Sequence, residues 1–248
     1  MNILIPTARP PWTALGRKLE SCCRKALHDF SLLDEEGPIA LALSGGKDSL
    51  TLLFLLSAIL GRGFERKKLV AIHVSGAFSC GAAVQENYLE SVCKELGVEF
   101  RSVSVEGSIE DLECYSCSRR RRNAIFSAAK DMGAKIIAFG HHKDDLAETL
   151  LLNVLHKGEF AGMLPKVCMR KYGVTIVRPL IYSDEAEIRK FAEMYGFARI
   201  TCQCPVGAKS KRRKVKNLIT EMEETFPNAG ANLARASLLY GSQKAASP

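Results

Sequence analysis

Of the 248 residues, 47% are hydrophobic and 25% charged, the balance of an ordinary globular protein, and no apolar run reaches the ~18 residues of a membrane-spanning helix. The 35 Lys and Arg outnumber the 27 Asp and Glu, which permits a polyanionic partner without requiring one. Prolines interrupt Met1 to Trp12 where a secretory leader needs a continuous apolar stretch, so a cytoplasmic location with no membrane partner is expected.

Apolar residues at positions 15, 19, 26, 27 and 30 predict a helix over 12–30. Ile39 to Leu43, bounded by Gly37-Pro38 and Gly45-Gly46, predicts a short buried strand, and Leu50 to Leu60 a strongly apolar helix. The alternation repeats: strands at 69–74, 99–105, 135–139 and 174–177, each followed by a helix, at 84–96, 118–132, 144–156 and 184–195. Five strands alternating with helices predict an α/β fold, a doubly wound parallel sheet. From Thr201 onward the pattern turns polar and basic. The expected organisation is an N-terminal helical segment (1–35), a doubly wound domain (36–200) and a small helical C-terminal extension (201–248).

Ser44-Gly45-Gly46-Lys47-Asp48-Ser49 joins the first core strand to its helix. Ligands of doubly wound sheets sit beyond the carboxyl ends of the strands. Two glycines let backbone amides approach an anion, the helix N-terminus adds free N–H groups, and Lys47 adds a full charge. The spacing is not that of a Walker A loop. An ordinary Gly-Gly turn would not need Ser, Lys, Asp and Ser together at such a junction.

A second polar edge, Gly140-His141-His142-Lys143-Asp144-Asp145, also follows a predicted strand and opens a helix. On helical spacing Asp145, Glu148, Thr149 and Asn153 share one arc, which reads equally as a site or as a solvated face. Carboxylates at a strand's carboxyl end suit Mg²⁺ held against phosphates, and this tips the reading toward a site. Gly140 and His141 are expected to border the nucleotide.

The chain has 9 cysteines. In a cytosolic protein close pairs point to metal or redox chemistry before disulfides. Cys114-x2-Cys117 suits zinc or an iron–sulfur cluster, and Cys202-x-Cys204 offers one or two further thiolates. Cys22, Cys23, Cys80, Cys93 and Cys168 sit in or beside apolar segments and read as buried filler.

Ser44 to Ser49 matches the SGGKDS motif of the PP-loop ATP pyrophosphatase superfamily, whose members cleave ATP between the α and β phosphates and adenylate a carbonyl-type oxygen. With Cys114-x2-Cys117-Ser118-Arg119, Gly140-His141-His142-x-Asp144-Asp145, Thr149 with Asn153, Gly162-Met163-x-Pro165-Lys166, Arg178-Pro179-Leu180 and the late cysteines, the chain resembles the tRNA 2-thiocytidine synthetase family from about Leu15 to about Pro227. The resemblance implies ATP and Mg²⁺ at a site built from Ser44, Gly45, Gly46, Lys47, Asp48 and Ser49, with Lys47, Asp48 and Asp145 catalytic and Asp48 and Asp145 holding the metal. It implies a 4Fe–4S cluster on three cysteines, Cys114, Cys117 and Cys204, with Cys202 the alternative third ligand. It also implies a tRNA substrate thiolated at C2 of cytidine 32, a cysteine desulfurase as sulfur donor, and a homodimer as one expected assembly. Two departures stand out. Ser75 occupies a position where the family usually has an aspartate, and the late cysteines are spaced Cys-x-Cys where many relatives have Cys-x2-Cys.

Arg119 to Arg122 are consecutive, and six of the eight residues from Lys209 to Lys216 are basic. Beside the cysteine pair, Arg119, Arg121 and Arg122 read as tRNA-phosphate or cluster-supporting residues. The later run, with no interleaved aromatics, reads equally as a phosphate grip or as a solvated segment. Two other functions fit parts of the pattern: another PP-loop tRNA modification, making 2-thiouridine or lysidine, or a zinc-stabilised RNA-binding protein without turnover.

Overall fold

Alternation along the central strands decides which layer each residue serves. In β1 (Ile39–Ala42) all four residues are buried: Ile39 and Leu41 join the larger core cluster, while Ala40 and Ala42 join the smaller one on the other face. The computed structural model describes residues 5–75, 82–105, 114–197 and 211–241. Around β1 lie β2 (Leu69–Ser75), β3 (Glu99–Ser104), β4 (Ile136–Ala138), β5 (Lys166–Met169) and β6 (Val174–Val177), in the order β3-β2-β1-β4-β6-β5. The first five of these in spatial order run parallel, and β5 pairs antiparallel with β6.

The larger cluster takes its apolar residues from α1 (Ala14–Asp29), α2 (Lys47–Ile59), α3 (Ala82–Glu95) and α6 (Glu185–Met194). On the opposite face α4 (Cys114–Asp131) lays Ile125, Phe126, Ala128 and Ala129 on the alanines of β1 and on Val70, Ile72 and Val74 of β2. Small residues on both partners let that helix approach closely. α2 is buried nearly all round, with Leu50, Leu52, Leu53, Phe54, Leu55, Leu56 and Ile59 at 0–1% exposure. A helix apolar on every side belongs in the middle of a core, so the polar residues at its N-terminus rest on an immobile base.

The predicted βα units fall where the periodicity puts them, and the fold is the expected α/β sheet with one correction. The sheet has six strands among the described residues, and its sixth is an antiparallel edge strand. A single 3-10 turn over Arg170–Tyr172, ended by Gly173 at φ 66°, folds β5 back on β6. Only Val167 of β5 is buried, so the segment carries too little apolar alternation to be read as a strand. This also corrects Cys168: expected as buried filler, it faces solvent on the edge strand, whereas Cys23 and Cys93 are buried and Cys22 is half-buried. Cys80, Cys202 and Cys204 lie outside the described residues.

Beyond residue 200 the described residues form two helices, α7 (Lys211–Thr225) and α8 (Ala229–Tyr240). Both pack on α5 (Lys143–Lys157), with Val215 and Ala234 buried. Among the described residues no helix is long and apolar enough to cross a membrane.

Two family markers prove to serve this packing. Asn153 donates from Nδ2 to the Ala161 carbonyl at 2.7 Å and ties the loop after α5 to that helix. At Gly162 a Cβ would come within 2.0 Å of Ser237 Oγ and 3.1 Å of its Cβ, so α8 can seat only against a glycine. Gly162→Ala is therefore expected to lower the unfolding free energy by about 1–3 kcal/mol. Pairing it with Ser237→Ala, which removes the nearest atom, should recover part of the loss in urea denaturation.

Candidate active site

In this strand order the chain leaves β1 toward β2 on one side and returns as β4 on the other, so the gap at the carboxyl ends of β1 and β4 is the switch point of the sheet. Gly45, at φ 84°, turns the chain out of β1, and Gly46 caps α2 with no side chain bonded to the helix N-terminus. The loop's hydroxyls close it on itself. Ser44 Oγ accepts from Gly46 N–H (3.3 Å) and lies 3.0 Å from Ser49 Oγ, which donates to the Gly46 carbonyl at 3.0 Å.

Across the gap, Gly140 touches the loop directly. A Cβ there would stand 2.9 Å from the Asp48 carbonyl carbon and 3.0 Å from the Ser49 nitrogen. Those are backbone atoms at the start of a buried helix and cannot step aside. The expected nucleotide-bordering glycine is thus the point where the two polar edges meet.

Next to it the two histidines have opposite electrostatics. Burial, reinforced by Arg178, pushes the pKa of His141 down to about 3, and its neutral Nδ1 accepts from Arg178 Nε at 3.3 Å. Its ring stacks on Phe139, with centroids 5.7 Å apart. For His142, burial opposes the charge, but Asp144, Asp145 and Asp48 outweigh it and raise the pKa. Its Nε2 lies 3.7 Å from Asp48 Oδ1 and 3.5 Å from Asp145 Oδ2. The two expected metal carboxylates therefore face one point from two motifs.

Asp144 serves the framework. It accepts from Glu185 N–H at 2.8 Å, and Lys143 pairs with Asp184 at 2.7 Å, so the starts of α5 and α6 are braced together. Burial would raise the Asp144 carboxyl, but the His142 imidazole 3.4 Å away and the Glu185 N–H prevail and hold it at about 2.

That brace sets Glu185 against the phosphate loop. Lys47 Nζ lies 2.9 Å from Asp48 Oδ1 and 3.1 Å from Glu185 Oε1. α7 closes the cleft: Arg212 pairs with Asp145 and, at 2.8 Å, with Glu148, while Lys216 pairs with Glu185. A cleft of about 550 Å³ results, lined by Lys47, Asp48, His142, Asp145, Glu148 and Glu185 from the sheet edge and by residues of α7 from the other side.

The PP-loop domain family model matches residues 15–220 of the chain. A tRNA-cytidine(32) 2-sulfurtransferase from Syntrophotalea carbinolica is 34% identical, over 90% of this chain and 88% of its own. One from Anaeromyxobacter sp. (strain K) is 37% identical, over 90% and 78%. The chain belongs to the PP-loop family, in its tRNA-cytidine(32) 2-sulfurtransferase branch. The fold is shared with the U34-tRNA thiolase NcsA from Methanococcus maripaludis, solved with its 4Fe-4S cluster, at a TM-score of 0.72 and 22% identity over 89% of this chain and 76% of that one.

The PP-loop fold thus unites most of the residues expected from the sequence. Ser44 to Ser49, Gly140, His141 and Asp145 meet at one sheet edge. Cys114 and Cys117 belong to the first turn of α4. On the same helix Arg119, Arg120 and Arg122 are exposed, and Arg122 lies close enough to Arg178 to help lower its pKa. Ser75 ends β2 with its hydroxyl 3.4 Å from the Val103 carbonyl and from Ser102 Oγ, both on β3.

Glu185 and the α7 residues Arg212 and Lys216 were missed as site residues. The signal for Glu185 was an acidic residue opening a helix after a strand. For the other two it was a basic run whose partner only the tertiary fold supplies.

Two outcomes follow. Gly140→Ala should lower stability in urea denaturation and weaken nucleotide binding, because the new methyl has no room against the loop backbone and forces the two polar edges apart; calorimetric titration with ATP and Mg²⁺ checks the second effect. Burial would raise the Glu185 carboxyl, but Lys216 and Lys47 overcome it and hold the pKa at about 2 against an ordinary 4.5. A depressed carboxylate stabilises fully above its unfolded value and loses that contribution as the pH falls. Wild type should therefore lose stability between about pH 4.5 and 2, and Glu185→Gln should lose less over the same window in acid-denaturation curves.

Proposed function

We propose that this chain is an ATP-dependent tRNA sulfurtransferase that adenylates cytidine 32 of the anticodon loop and replaces its C2 oxygen with sulfur. One observation carries the reading: Gly140 is packed on the Asp48–Ser49 backbone, which presents a phosphate loop, a lysine and two carboxylates to the same space. The sulfurtransferase relatives support it.

Derived from these residues, the chemistry runs as follows. Loop amides and the α2 N-terminus receive the phosphates, and Lys47 neutralises charge on the departing half. The cytosine C2 oxygen attacks the α-phosphorus as the bond to the bridging oxygen of the β-phosphate breaks, so pyrophosphate leaves and C2 carries AMP, a far better leaving group than oxide. A sulfur nucleophile then adds at C2 and AMP departs with the original oxygen. Asp48 and Asp145 would hold Mg²⁺, a hard cation that takes carboxylate oxygens, in exchange for the Lys47 and Arg212 partners they now have. Cys114 and Cys117, three apart in one helical turn, fit two thiolate positions of an iron–sulfur cluster, with Cys204 as the third. Such a cluster would supply sulfur-carrying chemistry at an iron without a protein ligand. The exposed arginines of α4 offer tRNA phosphates a grip along the same edge. A cytoplasmic protein receiving sulfur from a cysteine desulfurase, with a homodimer as its assembly, completes the proposal.

With labelled ATP, Mg²⁺, tRNA and a sulfur source, the expected products are AMP and pyrophosphate; accumulation of ADP would overturn the reading. Lys47→Ala and Asp48→Ala should keep the fold and lose this reaction. Nucleoside analysis of the tRNA should show 2-thiocytidine. Anaerobically purified Cys114→Ser, Cys117→Ser and Cys204→Ser should lose iron, while Cys202→Ser keeps it. Stoichiometric zinc in a fully active, colourless protein would remove the iron–sulfur assignment.

A further inference from the structure

The charges lining the cleft form a continuous alternating chain. Lys47 meets Glu185 at 3.1 Å, Glu185 pairs with Lys216, and Lys216 stands 4.0 Å from Glu148. Glu148 meets Arg212 at 2.8 Å, and Arg212 pairs with Asp145. One end of the chain is the phosphate-loop lysine and the other is an expected metal carboxylate; α7 supplies the two cations between them. The cleft lining holds four basic residues, Lys47, Arg212, Arg213 and Lys216, and four carboxylates, Asp48, Asp145, Glu148 and Glu185. Lys47, Arg212 and Lys216 are all paired with carboxylates, so a polyanion gains their full charge only when they change partners. A polyphosphate beside Lys47 must draw cations away from carboxylates, and the carboxylates so released need a new counter-charge.

Arg212 and Lys216 are placed for that exchange. Lys216 shares Glu185 with Lys47, so it is one carboxylate away from the phosphate-loop cation. Arg212 carries a planar fork that fits two phosphate oxygens as well as it fits the two carboxylates it now bridges. Its withdrawal from Asp145 would expose that carboxylate next to Asp48, where a divalent cation fits.

We propose that Arg212 and Lys216 are phosphate ligands for the β,γ half of ATP and for the pyrophosphate product, parked on carboxylates until the nucleotide arrives. The inference rests on the pyrophosphatase reading above. By this exchange α7, part of the C-terminal extension, completes the nucleotide site. Arrival of the polyphosphate frees Asp145 for Mg²⁺, so nucleotide and metal bind cooperatively.

The test uses the full chain in its holo form and measures the binding of ATP, inorganic pyrophosphate and AMP by calorimetry, each with Mg²⁺. Arg212→Gln and Lys216→Gln should each weaken ATP and pyrophosphate by about 10- to 100-fold, the loss of a charged hydrogen bond, and leave AMP unchanged. Arg212→Lys should recover part of the loss. Glu148→Gln keeps both cations but removes a competing carboxylate, so it should bind pyrophosphate more tightly than wild type.

If α7 were only clamped to the domain by ion pairs, all four variants would lower the melting temperature, none would change pyrophosphate affinity relative to AMP, and the proposal would be overturned. Should Arg212→Gln fail to fold, tighter pyrophosphate binding by Glu148→Gln relative to AMP still supports the ligand role, and unchanged or weakened binding overturns it. A wild type that makes AMP and pyrophosphate while Arg212→Gln binds and reacts normally would refute this inference alone. A wild type that makes ADP would remove the pyrophosphatase reading together with it.

Discussion

The contact between the Gly140 backbone and the backbone of Asp48 and Ser49 is the constraint on which the cleft depends. Neither side has room to yield: Gly140 follows the short buried strand β4 by two residues, and Asp48 and Ser49 begin a helix whose following turns are buried on every side. The distance between the two polar edges is therefore set by core packing and not by the polar residues themselves. Lys47, Asp48, His142 and Asp145 inherit their mutual geometry from that packing. Preorganisation of this kind is what electrostatic catalysis requires, since charges that need not move when the reaction starts cost no reorganisation.

The same closeness explains why neighbouring histidines differ. His141 lies against a half-buried arginine and an aromatic ring and its pKa is driven down by burial, while His142 is surrounded by three carboxylates that raise its pKa. Two identical side chains are driven apart by environment, and each then orders different partners. His141 fixes the segment of Arg178, whose guanidinium also binds the Leu164 carbonyl. His142 stands between Asp48 and Asp145 and bridges the two motifs.

Much of this was legible from residue order because the signals are local. A glycine pair, a lysine and two serines at a strand-to-helix junction can be read without knowing what lies across the gap. The second polar edge was legible as a site, but the separate task of Asp144 was not, because it depends on the backbone of Glu185 41 residues away. Asn153 and Gly162 stood out as markers, yet they serve packing against a loop and against α8. The basic run at 209–216 was ambiguous because its meaning is tertiary: Arg212 and Lys216 line the cleft, whereas Lys211 meets His156 at 3.0 Å. β5 escaped notice because an edge strand with one buried residue has almost no apolar periodicity.

The edges of the sheet also bear on how the protein behaves in concentrated solution. β3, at the far edge, exposes Glu99, Arg101 and Ser104, and Glu99 is paired with Lys68 of the adjacent strand's approach. At the other edge β5 shows Cys168 to solvent and is flanked by Lys166 and by Arg170 and Lys171. A strand added to either edge would have to strip water from these charged groups, which is how natural sheets resist open-ended stacking. Charge at both edges thus works against edge-to-edge pairing of the sheet.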